Sequence, residues 1–109
     1  MKGDSLYLQH ILDAINKIEE YVSVGYDTFM STSHWQDAVI RQLEIIGEAT
    51  KNLSDKLRKS HPQIPWKRIS GLRDILIHNY MGVDLAAVWE ITRKNLPELK
   101  HQIQEILSK

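Results

Sequence analysis

Apolar residues recur at helical spacing along nearly the whole chain, and this periodicity restricts the fold more than any other feature. In the first helical segment the apolar positions follow the i, i+3, i+4, i+7 pattern, which places their side chains on one helix face. These positions are Leu8, Ile11, Leu12, Ile15, Ile18 and Val22. No segment alternates apolar and polar residues as a half-buried strand does. The sequence therefore predicts an all-α bundle of about five to six helices.

The first two predicted helices supply most of the apolar residues. Asp4 or Ser5 is the expected cap of the first helix, and Gly25 lies just past its end. The second helix is expected from about Ser33 to Asn52, with its own apolar face turned inward. That face consists of Trp35, Ala38, Val39, Leu43, Ile46, Ala49 and Leu53.

Two shorter helices are expected next. Ser54 is the predicted cap of a basic helix that ends near His61-Pro62. Pro65 suits the first position of a fourth helix. The N–H of a residue at that position has no partner within the helix, so proline, which lacks an N–H, loses no hydrogen bond there. This fourth helix is expected to continue to about His78.

The last part of the chain contains a break and a further helical pattern. Residues 81–84 form the predicted break, with Asp84 as the cap of a fifth helix. Its apolar positions are Leu85, Val88, Trp89 and Ile91. Pro97 is expected either to kink this helix or to start a sixth. The apolar stripe of that segment is Leu99, Ile103, Ile106 and Leu107.

Length and composition exclude several classes of protein. The 109 residues are expected to form one domain, residues 1–109. The chain has no cysteine, which excludes disulfides and cysteine-ligated zinc, and no two histidines have the i, i+4 spacing of a metal site. No stretch approaches the ~20 apolar residues of a membrane span. A cytoplasmic protein without a metal and away from membranes is therefore expected.

The charges are distributed unevenly, although the formal net charge is zero. Residues 1–50 hold three basic and eight acidic residues, whereas residues 51–73 hold seven basic and one acidic. A partner that carries phosphate would be drawn to this basic block. The residues predicted to contact such a partner are Lys56, Arg58, Lys59, Lys67 and Arg68. Alternatively, the block is a solvated loop and a short helix rich in lysine.

The basic block leads directly into a segment that contains Arg73, His78 and Tyr80. Histidine can carry a proton at neutral pH, and arginine stays cationic and fits phosphate oxygens. Tyrosine adds a hydroxyl that donates, accepts or is modified. Together they suit acid–base chemistry on a phosphodiester. Alternatively, His78 ends a helix, Arg73 is a surface cation and Tyr80 packs in the core.

One such histidine per chain is few for a reaction that needs both an acid and a base. Arg73 and His78 are about 140° apart around a continuous helix, so they share a face only if the helix loosens near its end. A two-fold dimer that brings two copies of the motif together would supply two imidazoles and two guanidinium groups. The chemistry therefore favours a homodimer.

The second predicted helix also carries a charged stripe. Asp37, Arg41, Glu44 and Glu48 are three or four residues apart, so their side chains lie on one face. This stripe is either an exposed series of ion pairs or the lining of the cleft that holds His78. In the second case Glu44 or Glu48 would orient the arginine or the imidazole and support the active site.

Arg73-x4-His78-x-Tyr80 resembles the signature of the HEPN superfamily, and the flanking sequence is similar to its HepT-like toxin branch, from prokaryotic HEPN–MNT toxin–antitoxin pairs. The similarity covers nearly the whole chain. The matching segments are residues 37–48, 64–66, 69–73, 83–84, 88–89 and 96–97.

The resemblance implies a helical homodimer with a cleft between protomers and metal-independent cleavage of RNA, such as tRNA or mRNA, without a cofactor. Arg73 and His78 would be the catalytic pair, and Asp74 occupies a position where the family often has Asn or Asp. Tyr80 would be adenylylated by a cognate MNT nucleotidyltransferase, the antitoxin. Two other functions stay open: a non-catalytic partner of a nucleotidyltransferase, and a nucleotide-binding module that holds phosphate.

Overall fold

The structure is a computed structural model that describes residues 2–72 and 84–109. Its helices are α1 (Lys2–Val22), α2 (Tyr26–Ser31), α3 (Ser33–Lys51), α4 (Asp55–Ser60), α5 (Trp66–Ser70), α6 (Leu85–Glu90) and α7 (Leu96–Leu107). A π-helical segment, Ile91–Asn95, joins α6 to α7. The two described stretches contain no strand, so the predicted all-α bundle is confirmed. None of their helices is long and apolar enough to span a membrane.

The two longest helices, α1 and α3, pack against each other in opposite directions. Asp4, near the start of α1, bonds to Ser54 just beyond the end of α3. At the other end, the ring of Tyr21 lies 6.1 Å from the ring of Trp35. The apolar faces between them are buried as their periodicity predicts, and Ile15 and Leu43 are both 0% exposed.

The third long helix, α7, completes the core against α1. Its predicted stripe is confirmed, because Leu99 and Ile103 are buried, while Ile106 and Leu107 are partly buried against the same core. At the edge of this contact, Lys100 Nζ donates to Glu19 Oε1 at 2.7 Å. The three long helices therefore form one hydrophobic core, on which the shorter helices pack.

Gly25 allows the chain to turn between α1 and α2. Its φ of 94° lies in the left-handed region that side chains disfavour, so glycine suits this position. The Gly25 carbonyl then accepts a bond from the Phe29 N–H at 3.0 Å. Phe29 is fully buried and its ring lies 5.3 Å from that of Trp89. The prediction that Gly25 follows the first helix is confirmed.

The predicted start of the first helix is wrong. The helix begins at Lys2, so Asp4 and Ser5 lie inside it. The Asp4 carboxylate does not cap α1. It accepts bonds from the Ser54 backbone N–H at 2.8 Å and from the Ser54 hydroxyl at 2.7 Å. Local capping preferences predict that Asp4 caps the helix start, but its carboxylate instead makes a tertiary contact with Ser54.

The other predicted caps are confirmed. Ser54 precedes α4, and its hydroxyl oxygen accepts a bond from the Leu57 N–H at 3.1 Å. Asp84 precedes α6, and its carboxylate accepts from the Ala87 N–H at 3.1 Å. Both side chains satisfy a backbone donor that the first turn of a helix leaves without a partner.

The fourth predicted helix is interrupted. Pro65 is the N-cap of α5 and not its first helical residue, and α5 ends at Ser70. Gly71 forms a turn, and Leu72 is helical again. Glycine has a low helix propensity, which suits an interruption at this position. The predicted helix end near His78 lies outside the described residues.

Pro97 lies in a helical stretch that continues from α6 through the π-helical segment into α7. The Leu96 N–H donates to the Ile91 carbonyl oxygen, five residues earlier. Proline has no N–H, and its ring crowds the turn before it. The wider π turn precedes this residue, and Pro97 lies in the first turn of α7, which agrees with the predicted alternative in which Pro97 starts a further helix.

Candidate nucleic-acid interface

Cationic side chains of α4 and α5 form the candidate RNA-binding surface, called the basic surface below. Its members are Lys56, Arg58, Lys59, Lys67 and Arg68. All but Arg58 are exposed. Arg58 Nη2 donates to Asp55 Oδ1 at 2.6 Å, so a neighbouring carboxylate partly neutralises this charge. The other four cations form no ion pair with any described residue and remain available to phosphate.

The contact between Asp4 and Ser54 holds the start of α4. Asp4 is 7% exposed, and Ser54 bonds to both of its carboxylate oxygens. Bonds to a carboxylate are stronger than those between neutral groups. On the inner side of α4, Leu57 is buried in the core. Together these contacts leave Lys56 and Lys59 exposed to solvent.

Two apolar residues hold α5. Trp66 and Ile69 are 7% and 8% exposed, and both belong to the hydrophobic core. The Trp66 indole N–H also donates to the His61 carbonyl oxygen at 3.0 Å, which links α5 to the end of α4. Lys67 and Arg68, between these two anchors, are therefore exposed.

A second set of cations follows the Arg73–Tyr80 motif in the sequence, and most of these side chains are paired. Lys94 lies 3.0 Å from Glu90, and Lys100 lies 2.7 Å from Glu19. The Arg93 guanidinium lies 5.8 Å from the centre of the Trp89 ring, at the distance of a cation–π contact. These side chains are consequently less suited than the basic surface to hold phosphates.

The charged stripe of α3 has two interpretations, and the position of Arg41 does not support the one in which it is a series of ion pairs. Within the described residues, no ion pair joins Arg41 to Asp37 or to Glu44. Asp37, Arg41 and Glu48 are exposed and Glu44 is half-buried. The other interpretation, in which Glu44 and Glu48 line the cleft around His78, stays a prediction, because His78 lies outside the described residues.

The predicted catalytic residues all fall between the two described stretches. Arg73, Asp74, His78 and Tyr80 lie outside the described residues. The structure describes the residues on either side: Leu72 is helical, and Asp84 caps α6. The roles assigned to the four residues therefore stay predictions.

A pocket beside the basic surface was not found from the sequence. It has a volume of about 470 Å³, and residues of α5, the π-helical segment and α7 line it. Arg68 and Leu72 contribute from one side, and Glu98 and Gln102 from the other. These pairs are far apart in sequence, and no motif connects them, so the residue pattern alone carried no signal for this site.

Metal binding was not expected from the sequence, and the described residues offer no ligand cluster. Residues 2–72 and 84–109 contain no group of three His, Asp or Glu side chains that could hold an ion. His101 Nε2 lies 3.0 Å from Glu105 Oε1, and both side chains are largely exposed. This solvated pair has too few ligands for a structural metal site.

Comparison with known proteins identifies relatives along the whole chain. A Methanocaldococcus jannaschii protein named "Gamma-glutamylcyclotransferase and putative RNase" is 48% identical over 107 residues, 97% of this chain and 48% of that protein. A Caldanaerobacter subterraneus subsp. tengcongensis protein named "Putative RNase" is 44% identical over 100% of this chain and 98% of its own length. A Thermococcus cleftensis protein named "Probable ribonuclease HepT" is 41% identical over 92% of each chain. No solved structure matches.

The chain thus spans about half of the Methanocaldococcus relative but nearly all of the Caldanaerobacter one. The family model described as "Ribonuclease HepT-like" matches residues 11–106, a range that includes the motif from Arg73 to Tyr80. The helical bundle agrees with the fold that the resemblance implied. This chain belongs to the HepT-like ribonuclease family.

Proposed function

We propose that this protein is a metal-independent endoribonuclease of the HEPN type and the toxin of a toxin–antitoxin pair. The observation that supports the proposal is membership of the HepT-like ribonuclease family over residues 11–106, with the Arg73-x4-His78 motif intact. Two relatives that cover the chain almost completely carry the names "Putative RNase" and "Probable ribonuclease HepT". Residues 1–109 would act as a single HEPN domain.

Cleavage would proceed by attack of a ribose 2′-oxygen on the adjacent phosphorus, with departure of the 5′-oxygen of the next nucleotide. His78 would transfer protons, because an imidazole has an ordinary pKa of ~6.5, near the operating pH. Arg73 would hold the phosphate and stabilise the charge that develops on its oxygens. Glu44 or Glu48 would orient the arginine or the imidazole. Asp74 would also support the site, and Tyr80 would position the RNA.

The basic surface would supply the electrostatic part of RNA binding. Lys56, Lys59, Lys67 and Arg68 are exposed and are not paired with a described carboxylate. Arg68 is close in sequence to Arg73, and Leu72, which precedes Arg73, lines the same pocket as Arg68. An RNA strand held by these cations would therefore lead toward the proposed catalytic residues.

The protein would be silenced by a cognate MNT nucleotidyltransferase that transfers AMP to the Tyr80 oxygen. The added phosphate would bring negative charge and bulk within a few residues of Arg73. It would pair with the guanidinium and take the place of the substrate phosphate. The active form would be a cytoplasmic homodimer with His78 of each protomer in a shared cleft.

The test is cleavage of defined RNA by the purified protein, with and without EDTA. Wild type should cleave equally well in both conditions, whereas His78→Ala should cleave at least about 10²-fold more slowly. If EDTA stops the reaction and Mg²⁺ or Mn²⁺ restores it, the metal-free mechanism is wrong. If wild type and His78→Ala cleave at the same rate, the activity comes from another residue or from a contaminant, and the proposed function fails.

A further inference from the structure

The pocket between α5 and α7 carries the inference, which rests on the proposed function. Its volume of about 470 Å³ falls in the range typical of small-ligand sites, roughly 300–1,000 Å³. Leu72 lines the pocket and directly precedes the proposed catalytic Arg73 in the sequence.

Part of the pocket wall is apolar. Among the lining residues, Ile69 and Leu99 are buried, and Leu72 and Ile91 are half-buried. Aliphatic side chains of this kind can pack against the flat face of an aromatic ring. The wall therefore suits a nucleobase better than it suits the sugar–phosphate backbone.

Two opposite charges contribute to the same pocket without neutralising each other. Arg68 belongs to α5 and Glu98 to α7, and both are exposed. Among residues 2–72 and 84–109, no ion pair joins these two side chains or engages either of them elsewhere. A ligand with a negative group at one end and hydrogen-bond donors at the other would satisfy both. A nucleotide has this arrangement, because Arg68 can hold its phosphate and Glu98 can accept from its base.

Gln102 narrows the choice of base. Glu98 and Gln102 are one helical turn apart, and such pairs have Cβ atoms about 5–6 Å apart on one helix face. The pairing edge of guanine presents an acceptor, O6, beside two donors, N1–H and N2–H. The Gln102 amide can donate to O6 while the Glu98 carboxylate accepts from both donors. Uracil places its O2 acceptor against the carboxylate, which is repulsive.

We propose that this pocket is a guanine subsite, in which Glu98 and Gln102 select the base and Arg68 holds its phosphate. The RNase would then cut at a fixed position relative to an unpaired guanine. Single-stranded bases are accessible to such readout, whereas paired bases are not.

Binding can be tested without cleavage. Guanosine and uridine 5′-monophosphate and inorganic phosphate are titrated into the full-length protein while backbone amide resonances are followed by NMR. The guanosine nucleotide should shift Glu98, Leu99 and Gln102 and bind about tenfold or more tightly than the uridine nucleotide. Glu98→Gln should remove this preference, whereas Glu105→Gln, an exposed carboxylate on the same helix outside the pocket, should keep it. Equal shifts with phosphate alone would overturn the base subsite.

Cleavage of a randomised RNA pool gives an independent measurement. Sequenced ends should be enriched in guanine at one position, and Glu98→Gln should weaken the enrichment. Arg68→Gln should lower guanosine monophosphate affinity more than Lys67→Gln, which removes the same charge outside the pocket.

The two measurements separate this proposal from the function on which it rests. If the guanosine nucleotide binds as expected and no RNA is cut, the subsite stands and the RNase activity fails. If RNA is cut but neither the pocket resonances nor the base preference depends on Glu98, the subsite is wrong. In a further titration, the purified nucleotidyltransferase is added instead of a nucleotide. If the pocket resonances shift only in that titration, the pocket is a protein contact and the guanine subsite is wrong.

Discussion

Arg73 and His78 are assigned different tasks at the scale of single residues, and their variants should differ accordingly. His78→Ala removes proton transfer, so kcat should fall by about 10²–10⁴-fold or more. Arg73→Ala removes phosphate contacts in both the ground state and the transition state, so KM should rise and kcat should fall. Neither variant should change the far-ultraviolet circular dichroism. His101→Ala, an exposed histidine paired with Glu105, is the matched control and should cleave like wild type.

Asp4 stabilises the fold through a contact that its position in α1 does not suggest. Replacing it with alanine leaves the Ser54 N–H and hydroxyl without their acceptors. The free energy of unfolding should fall by about 1–2 kcal/mol, because the lost bonds go to a buried carboxylate, whereas water can reach the exposed Ser54. Asp13→Ala provides the control, since Asp13 is exposed and accepts a bond from Gln9 on the same helix. Equal unfolding midpoints for the two variants in urea would contradict the structural role of Asp4.

Tyr80 is the residue at which regulation is expected. Tyr80→Phe removes only the acceptor oxygen, so the variant should fold and remain active while escaping the nucleotidyltransferase. Mass spectrometry of wild type co-expressed with that enzyme should show AMP on the peptide that contains Tyr80. The assignment fails if the added mass maps to another residue, or if Tyr80→Phe is silenced as fully as wild type.

At the scale of helices, periodicity predicted most of the architecture but not its long-range contacts. Apolar spacing located α1, α3 and α7, because burial of one face is encoded within each helix. The contact between Asp4 and Ser54 joins residues fifty positions apart, and no local pattern encodes such a partner. The pocket was not predicted for the same reason, because the residues of α5 and α7 that line it are far apart in sequence and come together only in the folded chain. Pro97 lies in the first turn of α7, and the five residues Ile91–Asn95 before that helix form a π-helical segment. Apolar spacing does not predict such a segment.

The basic surface leads to a prediction at the same scale. Replacing Lys56, Arg58 and Lys59 with glutamine should weaken RNA binding and flatten its salt dependence, because fewer counterions are released. Arg58 should contribute least, since it already pairs with Asp55. Cleavage at saturating RNA should change little. The matched triple variant replaces Arg93, Lys94 and Lys100, and a larger loss of salt slope there would move the RNA path to that side.

At the scale of the whole molecule, the active site is expected to need two protomers. Each chain supplies one histidine to the motif, whereas the proposed reaction needs both a proton acceptor and a proton donor. If His78 of both protomers acts on one bond, a mixed dimer with one His78→Ala protomer is inactive. Adding this variant to wild type under exchange should then lower activity as the square of the wild-type fraction. A linear decrease would mean that each protomer has its own site. Light scattering must show a dimer throughout, and a monomer that still cleaves RNA would refute the shared cleft.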